Sequence, residues 1–122
     1  MKITLFTSNQ PRHNYFINLL SIISDDLFVI QENRALKQSI IPDYYPKTKV
    51  MKKYFSMVLN AEEKIFGKTY ISDKKIQIFP LQIGDLNKYS IRNFQDCLKS
   101  DIYIIFGSSY IKGELIDFLI KN

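Results

Sequence analysis

The sequence predicts an α/β fold: a doubly wound, Rossmann-like sheet of about four mostly parallel strands, with helices on both faces. Two observations carry this prediction. Short apolar runs alternate along the chain with longer segments in which apolar residues recur every three or four positions. The short runs are apolar almost throughout, which is typical of strands buried on both faces of a parallel sheet.

The composition is that of one globular domain. The chain has 122 residues, of which 46% are hydrophobic and 24% charged, so it can bury a core without disulfides. Its single cysteine and single histidine exclude an intramolecular disulfide and most metal sites. It contains no apolar run as long as a membrane span, and its first residues resemble a strand more than a signal peptide. We therefore expect a cytoplasmic protein with no membrane partner.

The first strand and helix are predicted within the first 23 residues. Residues 2–7 are apolar and β-branched enough for a short buried strand. Ser8 or Asn9 is expected to cap the helix that follows, and Pro11 suits its first turn. Apolar residues at helical spacing extend that helix over residues 12–23.

The middle of the chain predicts one more strand and one long helix. Residues 27–32 form a second apolar run. Residues 33–46 contain two prolines and two adjacent tyrosines, and we expect them to be irregular or partly helical. The helical period returns over residues 49–66, and Gly67 is placed to end that helix.

The second half predicts two strands and two helices, with Ser90 capping the first of the helices. The first strand is predicted over residues 75–80, followed by a loop over 81–88 and a short helix over 91–98. The second strand is predicted over residues 102–106, followed by a turn over 107–110 and a last helix over 112–120.

Two loops are candidate binding sites because ligands of such sheets bind beyond the carboxyl ends of the strands. Residues 7–14 offer hydroxyls, an amide, Arg12 and a helix N-terminus, which suit an anion, although an ordinary helix cap explains them equally well. In residues 107–112, Gly107 lets the backbone approach a ligand closely. Backbone N–H and C=O groups there could pair with a flat heterocycle, and a plain strand-to-helix turn is the alternative.

The remaining chemistry-bearing residues are weaker candidates. His13 lies at a helix start, where a surface or capping role fits better than catalysis. Cys97 fits a small buried hydrophobe. No paired carboxylates, Ser-His-Asp set or metal cluster can be assembled, so no catalytic or metal-binding residue is predicted. The net charge of +5 does not require a nucleic-acid partner. Its densest point could meet a phosphate-rich partner, although a solvated loop and helix start explain it better; this cluster consists of Lys47, Lys49, Lys52 and Lys53.

Residues 101–115 (DIYIIFGSSYIKGEL) resemble the fourth-strand region of the 10-formyltetrahydrofolate-dependent formyltransferases. This family includes the glycinamide ribonucleotide, methionyl-tRNA and sugar-amine formyltransferases. The resemblance extends along the whole chain. Near the start of the chain it includes the first strand and the residues Ser8-Asn9 that follow it. In the long helix it includes three residue pairs, and in a later loop four residues: Tyr54-Phe55, Ala61-Glu62, Phe66-Gly67 and Gly84-Asp85-Leu86-Asn87.

The resemblance implies a formyl donor, 10-formyltetrahydrofolate, and a small amine as acceptor, either an amino sugar or methionyl-tRNA. It assigns the folate pocket to one segment: Gly107, Ser108, Ser109, Tyr110, Ile111 and Lys112. Ser8 and Asn9, together with Arg12, would face the acceptor. In the family an Asn and a His stabilise the tetrahedral oxyanion and an Asp assists proton transfer.

The family's Asn-x-His pair and its distant Asp are absent from these residues. Residues 1–122 therefore resemble a single incomplete formyltransferase-like domain, the front part of the whole, and we expect little formyl transfer from them alone. In the complete domain, strand 102–106 would be central. Without its further neighbours it presents an apolar edge, and self-association through that edge is expected.

Two other functions remain open. One is a non-catalytic module that binds folate or a nucleotide, or a remnant that only associates with other chains. The other is a flavodoxin-like or glycosyltransferase-like domain whose first loop holds phosphate. Phosphate or flavin bound at residues 8–14 would favour the latter.

Overall fold

The computed structural model describes residues 1–34, 48–67, 71, 73 and 75–122. Its elements are, in chain order, β1 (Lys2–Ser8), α1 (Pro11–Ile23), β2 (Asp26–Asn33), α2 (Lys49–Phe66), β3 (Ile76–Gln82), a 3₁₀ turn (Ile91–Phe94), β4 (Ile102–Ile105) and α3 (Glu114–Lys121). Most of the segment predicted to be irregular, residues 33–46, lies outside the described residues.

The four strands form one sheet in the order β3-β2-β1-β4, and every pairing is parallel. In the register of the sheet, Leu5 of β1 lies between Val29 of β2 and Ile104 of β4. The chain moves outward from β1 to β3 and then returns to the other side of β1. This reversal confirms the doubly wound α/β fold and places a switch point between the carboxyl ends of β1 and β4.

Two apolar cores lie on the two faces of the sheet, because alternate strand residues point to opposite sides. The core beneath α1 contains Ile3, Leu5, Ile17, Leu20, Leu27 and Val29. The core beneath the 3₁₀ turn and α3 contains Phe6, Ile30, Leu81, Leu86, Phe94, Leu98 and Leu115. Helical segments therefore cover both faces, as the near-continuous apolar strands predict.

Two helix predictions are wrong in detail. Gln10 caps α1 instead of Ser8 or Asn9, because β1 extends through Ser8 before the chain turns. The short helix predicted over 91–98 is a single 3₁₀ turn followed by further turns, although Ser90 caps it as expected. The N–H of Asn93 donates to the carbonyl of Ser90, three residues back, which is the 3₁₀ pattern, and the carbonyl of Cys97 accepts the Thr4 hydroxyl of β1.

The long helix has the predicted bounds. The Thr48 hydroxyl accepts the N–H of Met51 at its start, and Gly67, with a φ of 62°, ends it. Near its C-terminal end α2 packs on α1 through an ion pair between Glu62 and Arg12 and through further ring contacts. The opposite end is uncovered, since every residue from Thr48 to Met57 is exposed.

The two outer strands of the sheet differ in composition. β3 carries Pro80, which has no N–H to offer, and two exposed glutamines, Gln77 and Gln82. Such residues discourage a further strand from pairing. β4 is apolar throughout and hydrogen-bonds to β1 on one side, while no strand among the described residues pairs with its other side. Self-association through β4 stays a prediction.

Candidate functional site

A cleft of about 830 Å³ lies at the carboxyl ends of the strands, beside the switch point. Its lining comes from the ends of β1 and β2, from the loop after β3, and from β4, α3 and the segment between them. The lining residues are Ser8, Arg34, Ile83, Gly84, Asn87, Lys88, Ile105, Gly107, Ser108, Ser109, Tyr110, Ile111, Lys112 and Ile116. The list contains all six residues predicted to hold the folate, which together we call the cleft wall (residues 107–112), and one of the three predicted to face the acceptor.

The first contact that holds the cleft wall comes from β1. The Ser8 hydroxyl donates to the carbonyl of Gly107 over 2.6 Å. One residue earlier, the N–H of Phe106 donates to the carbonyl of Phe6 over 2.9 Å, which extends the β1–β4 ladder past the end of the strand. The start of the wall is therefore fixed to the centre of the sheet.

The second contact is a buried carboxylate. Glu32, in the penultimate position of β2, is completely inaccessible to solvent. Its oxygens accept the N–H of Ser109 at 2.7 Å, the hydroxyl of the same serine at 2.8 Å, and the N–H of Gly84 at 2.7 Å. A buried carboxylate needs such donors, so this one carboxylate ties the loop after β3 and the cleft wall to β2.

The third contact is the amide of Asn87, in the loop after β3. Its Nδ2 donates to the carbonyl of Tyr110 over 2.6 Å, and its Oδ1 accepts the N–H of Lys112 over 2.9 Å. The side chain therefore satisfies two main-chain groups of the wall at once. Together with Ser8 and Glu32 it fixes the wall at both ends and in the middle.

His13 packs against the turn that opens the wall. The imidazole is 1% exposed, and its Nδ1 accepts the N–H of Gln10 at 3.3 Å. The capping role predicted for His13 is thus confirmed, and the surface position is wrong. A β-carbon on Gly107 would lie 2.9 Å from Cδ2 of His13 and closer still to Nε2. Position 107 also has a φ of 75°, so only glycine fits there without strain.

The surroundings of His13 also set its protonation. Burial, and then the charges of Arg12 and Arg34, lower the pKa of His13 from its ordinary 6.5 to about 4. The ring is therefore neutral at pH 7. Because Nδ1 accepts a hydrogen bond, the proton lies on Nε2, which has no hydrogen-bond partner among the described residues.

These contacts already use several of the wall's main-chain groups. The carbonyls of Gly107 and Tyr110 and the N–H groups of Ser109 and Lys112 are bonded within the chain. Fewer main-chain groups of the wall are therefore free to bond a ligand than the sequence predicts. Among the described residues no partner takes the N–H of Ser108, Tyr110 or Ile111, and the side chain of Tyr110 is 93% exposed.

Two of the residues predicted to face the acceptor do not line the cleft. The amide of Asn9 is paired with the main chain of Arg34, donating to its carbonyl at 2.9 Å and accepting its N–H at 3.0 Å. Arg12 points away to Glu62 of α2. Ser8 alone of the three reaches the cleft.

The site also contains residues that the sequence did not single out, chiefly Glu32, Arg34 and Asn87. Asn87 belongs to the loop on which the family resemblance partly rests. Glu32 carried one usable signal, since a charged residue at the end of an apolar run requires a polar partner if the strand is buried on both faces. Nothing local indicates that its partners lie 52 and 77 positions further along the chain.

Within the described ranges no three His, Cys, Asp or Glu side chains lie close enough to hold a metal ion. No helix in that part of the chain combines the length and the hydropathy needed to cross a membrane. No family model, curated protein or solved structure matches the chain.

Proposed function

We propose that this chain is the donor-binding part of a formyltransferase-type domain, which binds 10-formyltetrahydrofolate in the cleft and directs its formyl group to the amine of a small substrate. The acceptor would be an amino sugar or, as the alternative within the family, methionyl-tRNA. One observation carries the proposal. The six residues that resemble the family's folate segment are the residues of the cleft wall, beside the switch point of the sheet.

The shape and chemistry of the cleft suit a flat heterocycle. Its volume is in the range typical of small-molecule sites, and Ile83, Ile105, Ile111 and Ile116 supply apolar contact surface. The unpartnered N–H groups of the wall give such a ring polar groups to pair with. Since the wall is already held by Ser8, Glu32 and Asn87, little conformational entropy is lost when it binds.

The proposal divides the work of the reaction. When bound, the folate supplies the formyl group, and the residues of this chain hold and orient it. Ser8, at the end of β1, marks the side of the cleft from which an amine would approach. The groups that stabilise the oxyanion in the family, an Asn and a His two residues apart, have no counterpart among these 122 residues. We therefore assign binding and positioning to them, and no catalytic residue.

The test is titration of the chain with 5-formyltetrahydrofolate, a stable analogue of the donor, by isothermal calorimetry. Replacing Asn87 with alanine releases the carbonyl of Tyr110 and the N–H of Lys112, and it should weaken binding about tenfold. The control is Asn93→Ala, which removes an exposed amide that does not contact the wall. Absence of binding, or equal losses in the two variants, would overturn the proposal.

Binding of the acceptor distinguishes the leading function from its neighbour, since these residues lack the groups that catalyse transfer. An amino sugar that binds beside the folate and protects Ser8 of the cleft supports the formyltransferase function, whereas folate binding without binding of any amine supports a non-catalytic folate-binding module. The phosphate-binding alternative is less well supported, because the side chains of Ser8, Asn9 and Arg12 are already engaged within the chain. If inorganic phosphate shifted the NMR signals of residues 8–14 and not those of the wall, the phosphate-binding function would be the better supported of the two.

A further inference from the structure

The first half of α2 is exposed to solvent on every side. The helix meets α1 only near its C-terminal end among the contacts described above, where Glu62 pairs with Arg12 and the rings of Phe66 and Tyr15 lie 5.2 Å apart. Every residue from Thr48 to Met57 is exposed. Because a helix in water gains most of its stability from packing of an apolar face, a long apolar face left in solvent marks a surface that another molecule covers.

Five apolar residues form a straight ridge along the exposed side of α2. They recur every three or four positions, which places them within about a quarter of the helix circumference and over a length of about 23 Å. This ridge consists of Val50, Tyr54, Met57, Ala61 and Ile65. All five are exposed, the four larger side chains by between 61% and 77%. Apolar residues at this spacing are the seam against which a second helix packs.

One side of the ridge is lined by cations. Lys53 and Lys64 lie directly beside it, and Lys49 lies one turn before Lys53 on the same side. Among the described residues none of these lysines is within ion-pair distance of a carboxylate. The carboxylates of α2 do not compensate them, since Glu62 is held by its ion pair with α1 and Glu63 lies on the side of the helix away from the ridge.

The one-sided charge favours a helical partner over a flat lipid surface. On its other side the ridge adjoins the part of α2 that turns toward α1, through the half-buried Val58 and the buried Glu62. A flat anionic surface attracts cations on both borders of an apolar face alike. A helix laid along the ridge places its own charges beside one border, which is where the lysines are.

We propose that the ridge of α2, with Lys53 and Lys64 beside it, binds an amphipathic helix of a partner protein whose apolar face is bordered by acidic residues. The two apolar seams would pack together while carboxylates of the partner lie beside the lysines. Tyr54 and Met57, near the middle of the ridge, are the expected anchors. This inference is independent of the proposed function, because no residue of the ridge lines the cleft.

The probe is a fluorescein-labelled synthetic peptide of 18 residues, the length of α2, with leucine on one helical face, glutamate along its borders and alanine elsewhere. A second peptide has lysine in place of every glutamate. Binding of each to the whole chain is followed by fluorescence anisotropy. The glutamate peptide should bind about tenfold tighter than the lysine peptide, and the difference should shrink as salt screens the exposed charges.

Two adjacent lysines provide a matched pair of variants. Lys53→Glu should weaken binding of the glutamate peptide about fivefold. Lys52→Glu makes the same change to an exposed lysine on the side of α2 away from the ridge, so it should leave binding unchanged. Tyr54→Ala should weaken binding about tenfold by removing a central apolar contact. Equal binding of the two peptides, binding of neither, or equal losses in Lys52→Glu and Lys53→Glu would overturn the proposal.

Two further measurements identify other occupants of the ridge. If vesicles of equal parts phosphatidylcholine and phosphatidylglycerol bind through Lys53 and Tyr54 while neither peptide binds, the proposal is overturned in favour of an anionic lipid surface. If Tyr54→Ala lowers the sedimentation coefficient of the chain without peptide, it is overturned in favour of a second copy of this chain. Either outcome leaves the folate cleft as proposed.

Discussion

The cleft wall and the strand that leads into it adjoin in sequence and differ in almost every physical respect. The wall has little apolar character of its own, yet its polar groups are bonded to side chains from β1, from β2 and from the loop after β3. β4 is apolar throughout, and its outer side has no pairing strand among the described residues. Residues distant in the sequence therefore hold the wall in place. The strand β4, in contrast, is specified by its own apolar residues, and no described strand pairs with its outer side.

The contrast shows where stability and interaction properties reside in this chain. A substitution that breaks a contact of the wall leaves a buried polar group without a partner or makes two side chains overlap. It should therefore lower the free energy of unfolding. A substitution on the outer side of β4 removes no pairing partner, so it should alter association more than folding. Substitutions in the two regions should therefore differ in which property they change, and the largest loss of stability is expected at the start of the wall.

Gly107→Ala should be the most damaging of the three changes. The new methyl group would overlap the buried ring of His13, and the φ of 75° is unfavourable for alanine. Together these should lower the free energy of unfolding by about 3 kcal/mol, measured by urea denaturation. Gly113→Ala is the matched control, because it has a φ of 65° with nothing within 4 Å, and it should cost about 1 kcal/mol.

A double variant identifies the cause of that loss. His13→Ala removes the ring that the new methyl group would strike, so Gly107→Ala should cost much less in that background than in the wild type. Equal losses at Gly107 and Gly113, or full additivity with His13→Ala, would show that the wall does not pack against the imidazole.

The fold could be predicted from the sequence because its signals are local. An unbroken apolar run specifies β4, and apolar residues spaced three or four positions apart specify α2. Each signal lies within the element that it specifies. Local spacing predicts a helix after Ser90 and gives no sign that this segment is bonded to β1, where the Thr4 hydroxyl donates to the carbonyl of Cys97, 93 positions further along the chain. The contacts of the wall are equally non-local: Glu32 and Ser109 are 77 positions apart, and no sequence period connects them.

Acid should weaken the packing around the wall through His13. The pKa of its imidazole is about 4 in the folded chain and near 6.5 when unfolded, so the unfolded state binds the proton more readily. The resulting stability is complete above pH 6.5 and falls as the pH drops from 6.5 to 4, by on the order of 2 kcal/mol. Asp25 does not contribute in this window, because the amino terminus lowers the pKa of its carboxyl.

The measurement is the free energy of unfolding at pH 7 and pH 4.5 in the wild type and in His13→Gln. A uniform loss of stability in the variant does not affect the test, which concerns only the difference between the two pH values. That difference should be clearly smaller in the variant. An unchanged difference would mean that the imidazole titrates alike in both states and is not held neutral by its surroundings.

The smallest effect on folding, and the largest on association, is expected at the edges of the sheet. Ile102 of β4 and Ile78 of β3 are almost equally exposed, at 41% and 40%, so a lysine at either position should change the free energy of unfolding by less than about 1 kcal/mol. Sedimentation velocity over a range of concentrations should show association of the wild type, its loss in Ile102→Lys and its retention in Ile78→Lys. The asymmetry is expected because Pro80 already prevents pairing along β3, whereas nothing on β4 does. A wild-type chain that stays monodisperse at high concentration, or two lysine variants that behave alike, would show that the outer side of β4 does not govern association.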